Sequence, residues 1–211
     1  MKQGTDEWRM ARLGKITASR LDAVLSEGRG GKPSVTRENY LYAIVSERMT
    51  GIPYEKFHSP FMEDGSNNEG EARTFYEATH GVMVIEDGGM ICPAITDFWA
   101  SPDGLIGDDG GLEIKCPETK KHVDTIDHLK LFSNKIVDTK YIYQMTGNLI
   151  VYGRKWWDFE SFDPALPDNI KMFVMRFNKD DLPVKKVLEG IDEFRRDLDA
   201  TEKKLRSWGK V

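Results

Sequence analysis

Asp103, Glu113 and Lys115 lie close together in the stretch SPDGLIGDDGGLEIKCP, around the glycine-rich turn Gly107-Asp108-Asp109-Gly110. Leu112 and Ile114 alternate with Glu113 and Lys115. On a strand, the two charged side chains therefore share one face, roughly 6–7 Å apart. A hairpin closed by the turn sets Asp103 opposite Glu113. Two facing carboxylates repel unless a proton or a cation lies between them. Mg²⁺ suits such a place, because it takes oxygen ligands at roughly 2.0–2.1 Å and keeps waters for chemistry. The Ile114 carbonyl is a further candidate ligand. Lys115 would then stand beside a water that it orients or helps to deprotonate. The fitting substrate is a phosphodiester, whose developing charge a cation neutralises. The same residues also suit a surface hairpin with a cross-strand Lys–Glu pair. Glu-x-Lys recurs at Glu118–Lys120 and Glu202–Lys204, so spacing alone leaves both readings open.

A second group could bind anions. Residues 9–20 contain Arg9, Arg12, Lys15 and Arg20 and no acid, in a chain of net charge −5. A solvated helix end with scattered charges explains this stretch equally well. The four histidines, His58, His80, His122 and His128, lack zinc-site spacing, so they are expected to be structural or surface groups. Trp156 and Trp157 could stack on bases, but on an alternating strand one of them faces the core. The loop Ser26–Ser34, with Arg29 and Lys32, is a candidate DNA contact or a plain surface loop.

The elements that must position these residues are legible from periodicity and punctuation. DEWRMARLGKITASRLDAVLS predicts two short helices broken at Gly14, with Thr17 or Ser19 capping the second. Thr36 is expected to cap a helix that Gly51 ends, and Gly81 closes another. VMVIEDGGMIC, DFWASPDGLIG and GGLEIKCP predict three strands. DTKYIYQMTGNLIVYG returns to helical spacing, with Ile142, Met145, Leu149 and Tyr152 on one side. KWWDFESF and IKMFVMRF predict paired strands. From Leu182 the pattern Val184, Val187, Leu188, Ile191, Phe194, Leu198, Leu205 predicts an amphipathic C-terminal helix. This order suits a mixed α/β domain with a central sheet and helices on its faces. At 211 residues, 39% hydrophobic and 31% charged, the composition is that of a water-soluble globular chain. No run is apolar enough to span a bilayer, and no secretion signal is expected. Cys92 and Cys116 suggest no disulfide framework, so a reduced, cytosolic setting is the expectation.

Asp103, the glycine turn and Glu113-Ile114-Lys115 resemble the signature of the PD-(D/E)xK nucleases. WRMARLGKITAS (Trp8–Ser19), EARTFYE (Glu71–Glu77), ASPDGLI and GLEIKCP are similar, in the same order, to blocks of the phage lambda exonuclease and YqaJ-type viral recombinase family. The likeness runs from Trp8 to about Phe162. It implies a restriction-endonuclease-like core of central mixed sheet and flanking helices. It also implies one exonuclease domain over residues 1–211: N-terminal helices (1–80), catalytic sheet and helix (81–162), and C-terminal strand and helix (163–211). The implied activity is Mg²⁺-dependent 5′→3′ digestion of one strand of linear double-stranded DNA, releasing 5′-mononucleotides and leaving a 3′ overhang. Two ions per site are implied, with Mn²⁺ able to substitute.

By position, Asp103, Glu113 and the Ile114 carbonyl would hold metal, and Lys115 would serve the attacking water. Glu69 matches an additional acid near the metal, though an ion pair with Arg73 four residues on is an alternative. Arg12 and Ser19, joined by Ser101, match contacts to the 5′-terminal phosphate. Gln144 matches a catalytic-helix glutamine. Thr146 stands where many relatives carry a second glutamine, and Asp64 where many carry tryptophan. The four-cysteine iron–sulfur cluster of some relatives is not expected from two cysteines. The family further implies a homotrimeric ring, a single-strand annealing protein as partner, no membrane association, and a phage or prophage protein in a bacterial cytoplasm. The rival expectations are an endonuclease of restriction or resolvase type on the same core, and a non-catalytic DNA-end-binding protein.

Overall fold

The structure is a computed structural model that describes residues 1–31, 34–54, 60–129 and 137–208. Helix α1 (Asp6–Ala11) is capped by Thr5, whose hydroxyl accepts from the Trp8 N–H at 3.3 Å. The chain then forms a two-residue strand β1 (Ile16–Thr17), a 3₁₀ turn and the short helix α2 (Leu21–Val24). The two-helix expectation is thus corrected by a strand between them. Thr17 stands at the N-cap of the 3₁₀ turn without a capping hydrogen bond, and neither it nor Ser19 caps α2, whose N-cap is Arg20. Helix α3 (Val35–Thr50) starts at Ser34 rather than Thr36: the Ser34 hydroxyl accepts from Arg37 N–H at 3.0 Å, and Gly51 ends the helix in the left-handed region. Helix α4 (Pro60–His80) ends at Gly81 as expected.

Two expected strands divide between two sheets. Residues 82–92 form β2 (Val84–Ile85) and β3 (Met90–Cys92), and residues 97–107 lie partly in β4 (Ile95–Ala100) and partly in β5 (Gly104–Ile106). Gly88-Gly89 and Ser101-Pro102-Asp103 are the crossing points. Glycine allows the bend, and proline cannot donate to a ladder. The small sheet has the order β1-β4-β3, with β1 and β4 parallel. The large sheet adds β6 (Gly110–Lys115), β7 (Trp156–Phe162) and β8 (Met172–Asn178) in the order β2-β5-β6-β7-β8. Strands β6 and β7 run parallel. Such a pair requires a crossover, and α5 (Thr119–Leu129) and α6 (Thr139–Tyr152) supply it. Asp138 and Gly153 bound α6, as its sequence predicts. The chain closes with α7 (Val184–Arg206).

Helices cover both faces of the large sheet. Ala72 and Tyr76 of α4 pack on Leu112, Ile114 and Phe162, while Met145 and Leu149 of α6 pack on Trp157 and Phe159. A third cluster joins Leu21, Ile44, Phe98, Val187, Ile191, Phe194 and Leu198, which docks α7 on α3 and the small sheet. Each fully buried aliphatic or aromatic side chain contributes roughly 1.5–3 kcal/mol. Gly110 and Gly111 do more than close the turn. A Cβ at Gly111 would fall 2.4 Å from the Trp157 ring, and one at Gly110 would fall 2.1 Å from that of Trp156. Their bare backbones admit the two indoles, which are a buried core group (Trp157) and a half-buried platform under Arg176 (Trp156).

The described histidines behave as structural or surface groups. His122 is buried between Ser161 Oγ (2.8 Å) and the Ile170 carbonyl (2.9 Å), His80 stacks on Tyr76, and His128 lies exposed on α5. Both cysteines are free. Arg29 is exposed. His58 and Lys32 lie outside the described residues, as does the side chain of Asp64. No described helix is long and apolar enough to cross a membrane.

Candidate active site

Strand β6 delivers the acidic centre because its side chains alternate across the large sheet. Leu112 and Ile114 go to the α4 side, and Glu113 goes to the α6 side. The β5–β6 register pairs Gly104 with Leu112, so Asp103 stands opposite Glu113 as the hairpin reading expects. Asp103 Oδ2 accepts from the Ile114 N–H at 2.8 Å, which ties the first acid to the backbone of the second. Glu113 is fully buried and accepts from the Lys115 ammonium. The same ammonium donates to the Ile114 carbonyl at 2.9 Å and lies 3.7 Å from Asp103 Oδ2.

The Lys115 cation therefore touches all three groups expected to hold Mg²⁺. Two carboxylates and a carbonyl converge on one positively charged point, and an all-oxygen donor set is what a hard divalent ion prefers. The residues present fit the ion. Among the described residues no group of three or more His, Cys, Asp or Glu side chains is placed to hold a metal. The ion would thus draw on two carboxylates, one carbonyl and water, with Lys115 withdrawing from the point it fills.

The electrostatics match a site short of positive charge. Burial pushes the Glu113 carboxyl up to about 8, with Lys115 opposing and Asp103 adding to the effect. Glu69 on α4 is raised to about 7, first by burial and then by Asp103. Glu69 thus lies within reach of the charges of Asp103 and Lys115. The alternative Glu69–Arg73 ion pair is not formed: Arg73 donates to Glu86 and to the Asp103 carbonyl at 3.2 Å. Burial alone would lower the Lys115 pKa, but Glu113 and Asp103 outweigh it and hold the ammonium charged. At rest Lys115 is a hydrogen-bond donor rather than a base.

The expected phosphate-binding residues fall into two linked groups. Thr17 Oγ1 accepts from Arg12 at 3.4 Å and lies 3.4 Å from Ser19 Oγ and 3.3 Å from the Tyr40 hydroxyl. Ser19 is exposed. The Arg12 guanidinium sits 4.2 Å over the Trp8 ring. Ser101 accepts from the indole N–H groups of Trp8 (2.9 Å) and Trp99 (2.8 Å) and donates to the Gly88 carbonyl at 3.1 Å. Its proton and both lone pairs are committed. As arranged, Ser101 orders Trp8, and through it Arg12, rather than offering a donor of its own. Pro102 alone separates Ser101 from Asp103, so the two groups meet within roughly 7 Å of extended chain.

The chain matches the YqaJ-like viral recombinase domain over residues 7–155. It belongs to that family. The chain superposes with a TM-score of 0.84 on the alkaline exonuclease LHK-Exo from Laribacter hongkongensis, at 36% identity over 96% of each chain. The structure of LHK-Exo in complex with dAMP matches equally. A phage-related exonuclease from Haemophilus somnus 129PT shares the fold, with a TM-score of 0.71 and 13% identity over 90% of this chain and 96% of that one. None of the curated protein sequences compared matches. Family and fold together support a nuclease of exonuclease type on a PD-(D/E)xK-like core.

Sequence reasoning missed two groups beside the acids. Asn148 on α6 is buried and donates to Glu113 Oε2 at 3.1 Å. Gln144 lies one turn earlier and is half-buried, and its side chain makes no hydrogen bond among the described residues. Thr146 donates to its own helix at the Ile142 carbonyl (2.6 Å), so it does not replace a second glutamine. A buried amide in an apolar helix, four residues from Gln144 and hence on its face, is the signal that could have found Asn148. Glu160 on β7 lies beside Ile114 in the sheet, fully buried, and neither of its carboxylate oxygens has a partner among the described residues. Burial raises it to about 8, with Asp103 adding and Arg73 opposing.

Proposed function

We propose that this protein is a Mg²⁺-dependent exonuclease that digests one strand of linear duplex DNA from a 5′-phosphorylated end. Its products would be 5′-mononucleotides and a 3′ single-stranded overhang for recombination by strand annealing. The observation that carries this reading is the convergence of Asp103, Glu113 and the Ile114 carbonyl on the point filled by the Lys115 ammonium. The likeness to LHK-Exo supports exonuclease chemistry, and the dAMP bound to that protein is a mononucleotide of the kind such a reaction releases.

Bound Mg²⁺ supplies charge neutralisation at the scissile phosphate and acidifies a water. Asp103, Glu113 and the Ile114 carbonyl hold the ion, and Glu69 adds a carboxylate facing Asp103. Asn148 fixes the orientation of Glu113. Lys115, held protonated, donates to the attacking water or to the phosphate oxygen beside it. Arg12 and Ser19 grip the terminal phosphate, because a guanidinium fork and a hydroxyl match its oxygens. Gln144 lines α6 one turn from Asn148. The assembly is a ring of three chains, the partner is a single-strand annealing protein, and the setting is a phage-infected or lysogenic bacterial cytoplasm.

The test uses linear and covalently closed circular duplex, each with and without Mg²⁺. Linear DNA should be shortened only with the ion, and the closed circle should survive. Rapid cutting of the circle would replace this reading with an endonuclease. Lys115→Ala should abolish digestion while end binding persists, and undiminished digestion would remove Lys115 from the chemistry.

A further inference from the structure

We infer that Arg20, braced on Tyr40, is a second cationic arm of the terminal-phosphate pocket, so that the phosphate monoester is held between two guanidiniums. This rests on the end-recognition reading above and adds residues to it. Arg20 follows β1 in the 3₁₀ turn that carries Ser19. Its guanidinium lies 5.0 Å from the centroid of the Tyr40 ring, which itself stacks on Phe194 at 5.6 Å. The Tyr40 hydroxyl accepts from the Thr17 N–H at 3.0 Å and touches the Thr17 hydroxyl that Arg12 contacts. Tyr40 thus ties Arg20 to the Arg12–Thr17–Ser19 group.

The charges in this place do not balance. Arg12 and Arg20 are near enough for Arg20 to work against the charge of Arg12, which burial already opposes. Neither forms an ion pair with a carboxylate among the described residues, and the buried Nε of Arg20 has no partner there. Glu47, the carboxylate whose field reaches Arg12, is engaged by the N–H groups of Gly14 (2.8 Å) and Tyr54 (2.9 Å). Of the other cations in the basic stretch, Arg9 pairs with Asp6 and Lys15 reaches only the Leu13 carbonyl. Two half-buried guanidiniums without a carboxylate partner, one against the Thr17 hydroxyl and one on the Tyr40 ring, are unfavourable when empty and complementary to a doubly charged anion. A terminal phosphate carries about −1.5 to −2 and three acceptor oxygens, whereas an internal phosphodiester carries about one charge. Two arms therefore favour the end over the rest of the strand.

The experiment measures digestion and binding of linear duplexes that differ only in a 5′-phosphate or 5′-hydroxyl. Binding is read in the Lys115→Ala background, where no strand is consumed. Arg20→Gln should weaken the phosphorylated end about tenfold more than the hydroxyl end. Arg20→Lys should recover part of the difference, because it keeps the charge and loses the fork. A wild-type end preference in Arg20→Gln, or an equal loss on both ends, overturns the second arm. A wild-type protein that treats both ends alike overturns the end-recognition reading beneath it.

Discussion

Glu160 is the residue whose burial has the clearest energetic consequence. Its carboxyl is raised from the ordinary 4.5 to about 8, chiefly by desolvation. The unfolded chain releases this proton near the ordinary value, while the native chain holds it to about 8. Within that window the folded state binds more protons, so stability falls as pH rises and levels off above about 8. Glu160→Gln removes the dependence. In metal-free buffer the melting temperature of the variant should exceed that of the parent by more at about pH 8.5 than at about pH 5. A gap that does not widen would mean that Glu160 is ionised and partnered. Asn148 makes a different prediction, because it acts through Glu113. Asn148→Ala should raise the Mg²⁺ concentration needed for half-maximal digestion roughly tenfold or more. An unchanged requirement would detach Asn148 from the site.

Among the elements, the β5–β6 hairpin controls the chemistry, and its glycines set how it is seated. Gly111 lies against the buried Trp157 ring, where an added Cβ would be at 2.4 Å. Gly111→Ala must displace the indole or the strand, at a cost of about 1–3 kcal/mol. For a chain of this size that lowers the melting temperature by several degrees, roughly 2–4 °C per kcal/mol. The shift should appear in thermal unfolding together with a loss of digestion, because Glu113 moves with the strand. Unfolding at the parental temperature would show that the packing has room. The hairpin itself was legible because alternation and turn chemistry act over a few residues. The division of residues 82–92 and 97–107 between two sheets was not. Each run reads as one strand, and only the choice of pairing partner separates its halves.

For the whole molecule, the net charge of −5 gives little general attraction to DNA. A ring would hold the duplex by enclosure instead. Sedimentation should then find three chains per particle, and single-turnover digestion of a long duplex should resist a trap of excess competitor DNA. A monomer that withstands the trap equally well would remove the ring. The hydrophobic clusters dock α7 on the small sheet, and α4 and α6 on the two faces of the large one.

Local rules in the amino-acid sequence determined the Asp103–Glu113–Lys115 hairpin, the α6 and α7 helices, and the family likeness that named Glu69, Arg12 and Ser19. Alternation, turn residues and block order are short-range properties. Long-range packing decided the rest: the full burial of Glu113 that sets its charge against Lys115, the Ser101 hydroxyl brought to the Trp8 indole 93 residues away, and Asn148 and Glu160 brought beside the acids from α6 and β7. Burial depends on what the fold sets nearby, and no short window of sequence contains partners so far apart.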